Sequence, residues 1–309
     1  MSEVSILIPC HNAEPWIDRC VESALAQTHP DTEVLVMDDG STDCSRELLR
    51  RFGGRIRVLE QERSGANQAR NRLLSQAQGG WVQFLDADDE LLPDKIALQL
   101  KEGVNTRADV LAGGVISEIW RCGKPQFREV CSVDANSDLI ELWLAWRFPQ
   151  TGGLLWRKEA LIRIGGWKED LPCCQDYEVV MRAIQQGLVL VPTSNAGAIY
   201  RLWSEETLSR KNVLQTLEMR TALSFSMRDW LAERGRATDK LQSALGRSLL
   251  EMSRTLARYD LNVAEEYYCA HQKEIKLLGP AAPWHYRLAL GLLGFRRAEQ
   301  LAAFYRHAS

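Results

Sequence analysis

Four acidic side chains crowd into one five-residue stretch, Asp86-Ala87-Asp88-Asp89-Glu90, directly after the mostly apolar run Trp81-Val82-Gln83-Phe84-Leu85. A run of that length, bounded by Gly79-Gly80 and Pro93, reads as a buried strand. The acids then stand at the strand's end, the edge at which open α/β sheets bind ligands. Carboxylates this close repel one another unless a cation sits among them. Mg²⁺ and Mn²⁺ prefer carboxylate oxygen and bridge to phosphates, which makes them the natural partners. The competing reading is a solvated acidic turn ahead of a helix near Pro93, because Asp and Glu favour first turns.

Two more acidic sites fall at predicted element boundaries. Asp38-Asp39 closes the run Glu33–Met37 and opens Gly40-Ser41-Thr42-Asp43. Those residue types also build a plain turn with a helix cap. A carboxylate at a strand end can instead accept hydrogen bonds from a base N–H or from ribose hydroxyls. Asp176 stands at the start of the predicted helix Gln175–Gln186. No G-x-G-x-x-G follows the first apolar run and no G-x-x-x-x-G-K-[ST] occurs. A nicotinamide or P-loop site is therefore disfavoured, and the charge of a pyrophosphate would fall to a metal at the acidic cluster.

The elements that must position these acids alternate. Val4–Pro9, Glu33–Met37, Arg55–Leu59 and Trp81–Leu85 read as strands. Between them lie helices: one placing Trp16, Ile17, Cys20, Val21, Ala24 and Leu25 on a single face, then Ser45–Phe52 and Gly65–Ala77. That rhythm predicts parallel βαβ units with right-handed crossovers. Beyond residue 108 the pattern loosens. Asp109–Ile119 and Gln126–Val133 read as antiparallel strands around Cys122-Gly123-Lys124-Pro125. Helices follow at Ser137–Trp146, Lys158–Ile164 and Gln175–Gln186, with strands at Leu154–Trp156, Leu188–Val191 and Ala198–Trp203. From about residue 211 the chain reads as helical, with breaks near Gly235, Asp260 and Gly279-Pro280. The expected division is 1–210, with a nucleotide-binding half to about 108 and an acceptor half from 109, followed by 211–309.

Composition narrows the class. Apolar residues at 45% and charged residues at 26% are those of a globular soluble chain. A net charge of −3 provides no basic field for nucleic acid. None of the eight cysteines forms a C-x-x-C pair, and the N-terminus lacks the basic and apolar regions of a signal peptide. Reduced thiols and a cytoplasmic location are the expectation. No run approaches the roughly 20 apolar residues of a membrane span.

Seven fragments, taken in order, resemble glycosyltransferase family 2, the inverting enzymes of the GT-A fold. They are Val4-Ser5-Ile6-Leu7-Ile8-Pro9 with His11-Asn12; Ser23-Ala24-Leu25-Ala26-Gln27-Thr28; Val36-Met37-Asp38-Asp39-Gly40-Ser41-Thr42-Asp43; Gly65 with Ala69-Arg70-Asn71; Phe84-Leu85-Asp86-Ala87-Asp88-Asp89; Gly165-Gly166-Trp167; and Gln175-Asp176-Tyr177-Glu178 with Arg182. The resemblance covers residues 4 to about 210. It implies a Rossmann-like, mixed but mainly parallel sheet flanked by helices, with a helical C-terminal extension. It further implies a nucleotide-sugar donor, UDP-linked by preference, and a glycan or lipid-linked glycan acceptor in cell-surface polysaccharide or glycolipid synthesis.

By resemblance, Pro9, His11 and Asn12 match the loop that walls the nucleoside, Asp39 the acid that bonds the base, and Arg70 a flank of that pocket. Asp86 and Asp88 match the DxD motif, with Asp86 nearer the ribose, Asp88 the metal ligand and Asp89 either a support behind the ligands or an alternative ligand for Mn²⁺ or Mg²⁺. Asp176 matches the general base. Two positions depart from the pattern: Gln175 stands where the family often has Glu, and Trp203 where it often has His. A non-catalytic nucleotide-sugar-binding protein of the same fold is the rival reading. A nucleotidyltransferase would be expected to show a glycine-rich basic loop after the first strand, and Pro9-Cys10-His11-Asn12 is not one.

Several features stay open. Trp156, Trp167 and Trp203 offer either sugar-stacking faces or core packing, the latter preferred. Cys173-Cys174, just before Asp176, read as lining rather than redox chemistry. In the tail, Leu214, Leu217 and Thr221, then Leu241, Leu245, Leu249 and Met252, recur at helical spacing. The last segment sets Trp284-His285-Tyr286-Arg287 and Arg296-Arg297 about an apolar centre. It reads as a buried terminal helix by preference, with peripheral contact at the inner face of a membrane as the alternative.

Overall fold

Strand β1 (Val4–Cys10) is buried along nearly its whole length, because it has a parallel neighbour on each side: β2 (Thr32–Asp39) and, beyond residue 80, β4 (Trp81–Phe84). β3 (Arg57–Gln61) continues the parallel set outward from β2. Strands covered on both faces need near-continuous apolar runs, and this is what Ser5-Ile6-Leu7-Ile8 and Val34-Leu35-Val36-Met37 provide. The crossovers carry α1 (Ile17–Leu25), α2 (Ser45–Arg50) and α3 (Ala66–Gln76). In α1 the buried residues Ile17, Cys20, Val21 and Ala24 recur at i, i+3, i+4 and i+7. In this computed structural model, residues 3–121, 124–203, 212–276 and 282–308 are described.

On its other edge β4 turns the sheet antiparallel. It pairs with β8 (Leu154–Arg157), and β8 with β6 (Val110–Arg121). The full order is β3-β2-β1-β4-β8-β6-β9-β5, a nine-stranded mixed sheet with β7 (Lys124–Cys131) beside β6. β5 is Glu90–Leu91, β9 is Leu190–Leu202, and α4 (Lys95–Gly103) links β5 to β6. β6 is long enough to hold β8 on residues 110–112 and β7 on residues 115–121. β6 and β7 form the expected antiparallel pair; Cys122 and Gly123 of their turn lie outside the described residues.

Two expectations need correction. The strands Leu188–Val191 and Ala198–Trp203 are one strand, β9, running parallel to β6. Its polar middle, Pro192-Thr193-Ser194-Asn195, reads locally as a turn, but register shifts beside Gly113 and Gly114 absorb the irregularity. The acidic stretch also contains a strand: Glu90 and Leu91 pair with Ile199 and Ala198, a bridge too short to leave a periodic trace.

The remaining helices before residue 190 are α5 (Leu139–Leu144), α6 (Lys158–Arg163) and α7 (Gln175–Gln185). The chain divides into two compact units, residues 1–139 with 149–208, and residues 140–148 with 209–309. Segment 140–148, read from sequence as part of the acceptor half, thus groups with the helical region. Its side chains explain why: Glu141 pairs with Lys240 and Arg247, and the Trp146 indole donates to Ser224 at 2.9 Å.

The second unit carries α8 (Val213–Glu233), α9 (Asp239–Leu256), α10 (Leu261–Ala270), α11 (Gln272–Lys276) and α12 (Trp284–Ala308), the last kinked at Gly294 (φ 77°). Asn212, Thr238 and Asp260 cap α8, α9 and α10 with side-chain oxygens that accept from backbone N–H groups. The breaks at Gly235 and Asp260 fall where expected, whereas Gly279-Pro280 lies outside the described residues.

Candidate active site

The ends of three parallel strands stand side by side, since β1 pairs with both β2 and β4. Pro9 pairs with Met37 and Cys10 with Asp38. The loop after β1 and the turn after β2 are clasped together. The Asn12 amide oxygen accepts from Thr42 N at 2.8 Å, and Asn12 N donates to Ser41 Oγ at 3.1 Å. His11 Nδ1 lies 2.9 Å from the Asp39 carbonyl oxygen. A carbonyl only accepts, so Nδ1 is the donor in this contact.

Asp39 is buried and fully engaged. Its Oδ1 accepts from Gln61 Nε2 (2.6 Å) and Ser64 N (2.8 Å), its Oδ2 from Gly65 N (2.9 Å) and the Arg63 guanidinium. Burial pushes this carboxyl up. The hydrogen bonds from Gln61, Ser64 and Gly65 and the charge of Arg63 overcome that and hold it below the ordinary carboxylate range. Gly40 makes the turn possible: at φ +66° a Cβ there would meet Arg63 N at 2.8 Å. Of the four donors, only Arg63 comes from a side chain about half exposed.

At the end of β4, Asp86 Oδ1 accepts from Arg70 Nη2 at 2.7 Å, and Asp88 Oδ2 from the Trp203 indole N–H at 2.8 Å. Burial, then the charge of Asp86, pushes Asp88 above the ordinary carboxylate range. Asp89 is turned inward, where its Oδ1 accepts from Arg201 N at 2.8 Å, and burial with Asp88 and Asp86 nearby pushes its carboxyl well up. Arg201 closes the wall behind. It donates to the Asp88 carbonyl at 2.9 Å, pairs with Glu90, and lies over the Trp16 ring at 5.1 Å.

Among the described residues no group of three or more His, Cys, Asp or Glu side chains is arranged to hold a metal ion. The donor set nevertheless fits one. Asp86 and Asp88 are hard oxygen donors in mutual repulsion, and Mg²⁺ is commonly held by one or two carboxylates, substrate phosphates supplying the rest.

Asp176 is the second residue of α7, reached through Cys174 in the left-handed region (φ 58°). Burial pushes its carboxyl up; the Arg70 guanidinium pulls it down, Asp86 pushes it up, and the hydroxyl and N–H of Thr151 pull it down, the net being upward. Arg70 is thus common to two acids 90 positions apart in the chain: it bonds Asp86 and lies in the field of Asp176. Sequence reasoning set Arg70 beside the base pocket and missed Thr151, which sits in a Thr-Gly-Gly turn of 3₁₀ form with no periodicity to mark it. It also missed Arg63 and Gln61, the Asp39 donors.

Other motif fragments build scaffold. The Asn71 side chain spans Trp167, accepting from its N–H and donating to its carbonyl, both at 2.8 Å. Arg182 bonds the Ile164 and Gly166 carbonyls and pairs with the buried Glu178. Of the three tryptophans considered for sugar stacking, Trp156 and Trp167 are core, and Trp167 lies beneath Arg70 at 4.7 Å and edge-on to Phe84. Trp203 is exposed. Cys173 is buried lining.

The sequence matches the model of the family described as Glycosyl transferase family 2 over residues 5–165, more than half of the chain. This protein belongs to glycosyltransferase family 2. Among curated members, the putative teichuronic acid biosynthesis glycosyltransferase TuaG of Bacillus subtilis is 43% identical over 102 residues, 32% of this chain and 40% of that protein. Glycosyltransferase GlyA of Streptococcus pneumoniae is 34% identical over 118 residues, 37% of this chain and 17% of that one.

The chain spans about half or less of the length of the curated relatives it matches. Asp176 lies beyond the matched span. Among solved structures, S. aureus TarS 1-349 in complex with UDP-GlcNAc superposes with a TM-score of 0.60 at 19% identity, covering 90% of this chain and 89% of that one. The mannosyltransferase PcManGT of Pyrobaculum calidifontis, in complex with GDP-Man and Mn²⁺, gives 0.52 at 16% identity over 99% and 80%. At such identities the likeness establishes the fold. The mixed sheet flanked by helices is the GT-A architecture expected from the sequence.

Proposed function

We propose that this family 2 member is an inverting, metal-dependent hexosyltransferase. It moves a sugar from a nucleotide-sugar donor, UDP-linked by preference, to a hydroxyl of a glycan or lipid-linked glycan acceptor in cell-surface polysaccharide or glycolipid assembly. The observation that carries the reading is the pairing of Asp86 and Asp176 through Arg70: a donor-side acid and a carboxylate of raised basicity share one buried guanidinium. Names among the relatives point the same way, since TuaG is assigned to teichuronic acid biosynthesis and another relative is a chondroitin synthase. A cytoplasmic location accompanies the reading.

In this mechanism Asp176 removes the proton of the acceptor hydroxyl. The oxygen attacks the anomeric carbon from the face opposite the diphosphate, the bond from that carbon to the diphosphate oxygen breaks, and the nucleoside diphosphate leaves with the electron pair. Asp88, with Asp86 beside it, would hold Mn²⁺ or Mg²⁺, which would supply Lewis-acid charge at the leaving diphosphate. Asp86 meets the ribose, and Pro9, His11 and Asn12 wall the nucleoside. Asp39 takes the base by exchanging the half-exposed Arg63 for the base N–H. Asp89 is read here as holding the loop against Arg201.

Transfer and hydrolysis measured with a panel of nucleotide sugars, with and without Mn²⁺, test the reading. An α-linked donor should give a β-linked product, seen in the anomeric proton NMR signal. Absence of binding and turnover with every donor would refute sugar transfer, and retained stereochemistry would refute the single displacement.

A further inference from the structure

Helix α12 is held on one side only. Tyr286, Phe295, Ala298 and Glu299 are buried, with Phe295 stacked on Tyr268 at 4.6 Å and Glu299 accepting from Arg254 Nε at 2.8 Å. The opposite side is exposed and apolar. Trp284, Leu288 and Leu292 recur at i, i+4 and i+8 before the kink, and Leu301 and Phe304 lie on the separate helical segment after it, these five being 44–74% exposed. The buried terminal helix preferred from sequence is therefore only half right. A face of this kind on a soluble chain marks an interaction surface.

Its charges say what it meets. Across residues 282–305 the acid is Glu299, and it is buried and bonded. The charged residues on the exposed side are Arg287 and Arg297, with His285 beside them. On a helical wheel Arg287 and His285 flank the Trp284-Leu288-Leu292 row on either side, which is the layout of a helix lying in a lipid interface. Two copies apposed through this face would set arginines against arginines without an acid between them. No helix of the described residues is long and apolar enough to cross a bilayer.

We propose that α12 docks the protein on an anionic lipid surface, with Trp284, Leu288, Leu292, Leu301 and Phe304 entering the interface and Arg287 and Arg297 meeting the headgroups. The inference stands apart from the sugar-transfer reading, and nucleotide binding by the same variants separates the two.

Co-sedimentation of the full chain with vesicles of phosphatidylcholine alone, or with about a third phosphatidylglycerol, tests it. Binding is expected to the anionic vesicles and to weaken with salt. Arg287→Gln with Arg297→Gln should lower that affinity about 25-fold, at about fivefold for each charge. Leu288→Gln, Leu292→Gln and Phe304→Gln together should lower it by about 100-fold or more, with UDP binding unchanged.

The proposal is overturned if the parent protein ignores anionic vesicles, or if the apolar triple variant binds as the parent does. It is also overturned if sedimentation velocity shows a parental dimer that the triple variant dissolves. Hydrogen exchange on the parent protein needs no variant to fold: slowed exchange in residues 284–305 on adding vesicles supports the proposal, and unchanged exchange there refutes it.

Discussion

Asp176→Asn separates catalysis from stability at one position. The substitution keeps the side chain's size, and it leaves Arg70 its charge partner Asp86. What disappears is the basic lone pair. General-base assistance is worth roughly 10² to 10⁴ in rate, or about 2.7 to 5.5 kcal/mol of barrier. Transfer should fall by that factor while UDP affinity stays at the parental value.

Stability should move the other way. The folded-state pKa of Asp176 is raised, chiefly by burial, so the folded protein holds this proton more tightly than the unfolded chain. Ionisation therefore destabilises the fold, and the stability present at low pH is lost as pH rises through the folded value. The Asn variant, permanently neutral, should melt above the parent at pH 7, and the gap should close at acid pH where both side chains are uncharged. For the same reason kcat/KM of the parent should decline on acidification at a pH above that of an ordinary carboxylate. Melting curves across pH and single-turnover transfer assays read both arms. Near-parental turnover with chemistry rate-limiting, or a lower melting temperature at pH 7, would refute the reasoning.

Three other outcomes are expected. Asp88→Asn should stay folded and lose the Mn²⁺-dependent part of UDP binding, measured by calorimetry with and without the metal; an unchanged metal response would remove Asp88 from the site. Asp39→Asn should weaken uridine binding by about tenfold, the scale of a hydrogen bond to a charged group, whereas Arg63→Ala should leave it unchanged or tighter because the base no longer displaces a guanidinium; a loss with Arg63→Ala would contradict the exchange. Asn71→Ala strands the N–H and carbonyl of Trp167 and should cost about 1–3 kcal/mol in urea unfolding, so a midpoint within error of the parent would show those groups finding other partners.

Much of the first unit was legible because its signals are local. Strands covered on both faces must be apolar runs, and Ile6-Leu7-Ile8 and Val34-Leu35-Val36 announce themselves whatever surrounds them. Acids at Asp39 and Asp86 follow such runs directly, so their location at the ends of β2 and β4 could be read off. β9 could not be, because Pro192-Thr193-Ser194-Asn195 looks like a turn until β6 is present to pair with it. Nor could the exposed side of α12, since Trp284-to-Leu293 is apolar on both sides and local pattern does not say which side finds a partner.

What the sequence by itself determined is the family, the first four strands with the helices between them, and the carboxylates at Asp39 and Asp86, since each of these signals lies within a few residues. How those carboxylates are spent was decided only by the tertiary structure. Asp89 is taken up by the backbone of Arg201, 112 positions away, Asp88 receives the indole N–H of Trp203 from 115 positions away, and Arg63 fills Asp39. Asp86 and Asp176 come under one charge only through Arg70 of α3, which bonds Asp86 and lies in the field of Asp176. A carboxylate has a small number of acceptor sites, and the donors that fill them arrive from distant parts of the chain with no spacing that a linear sequence displays.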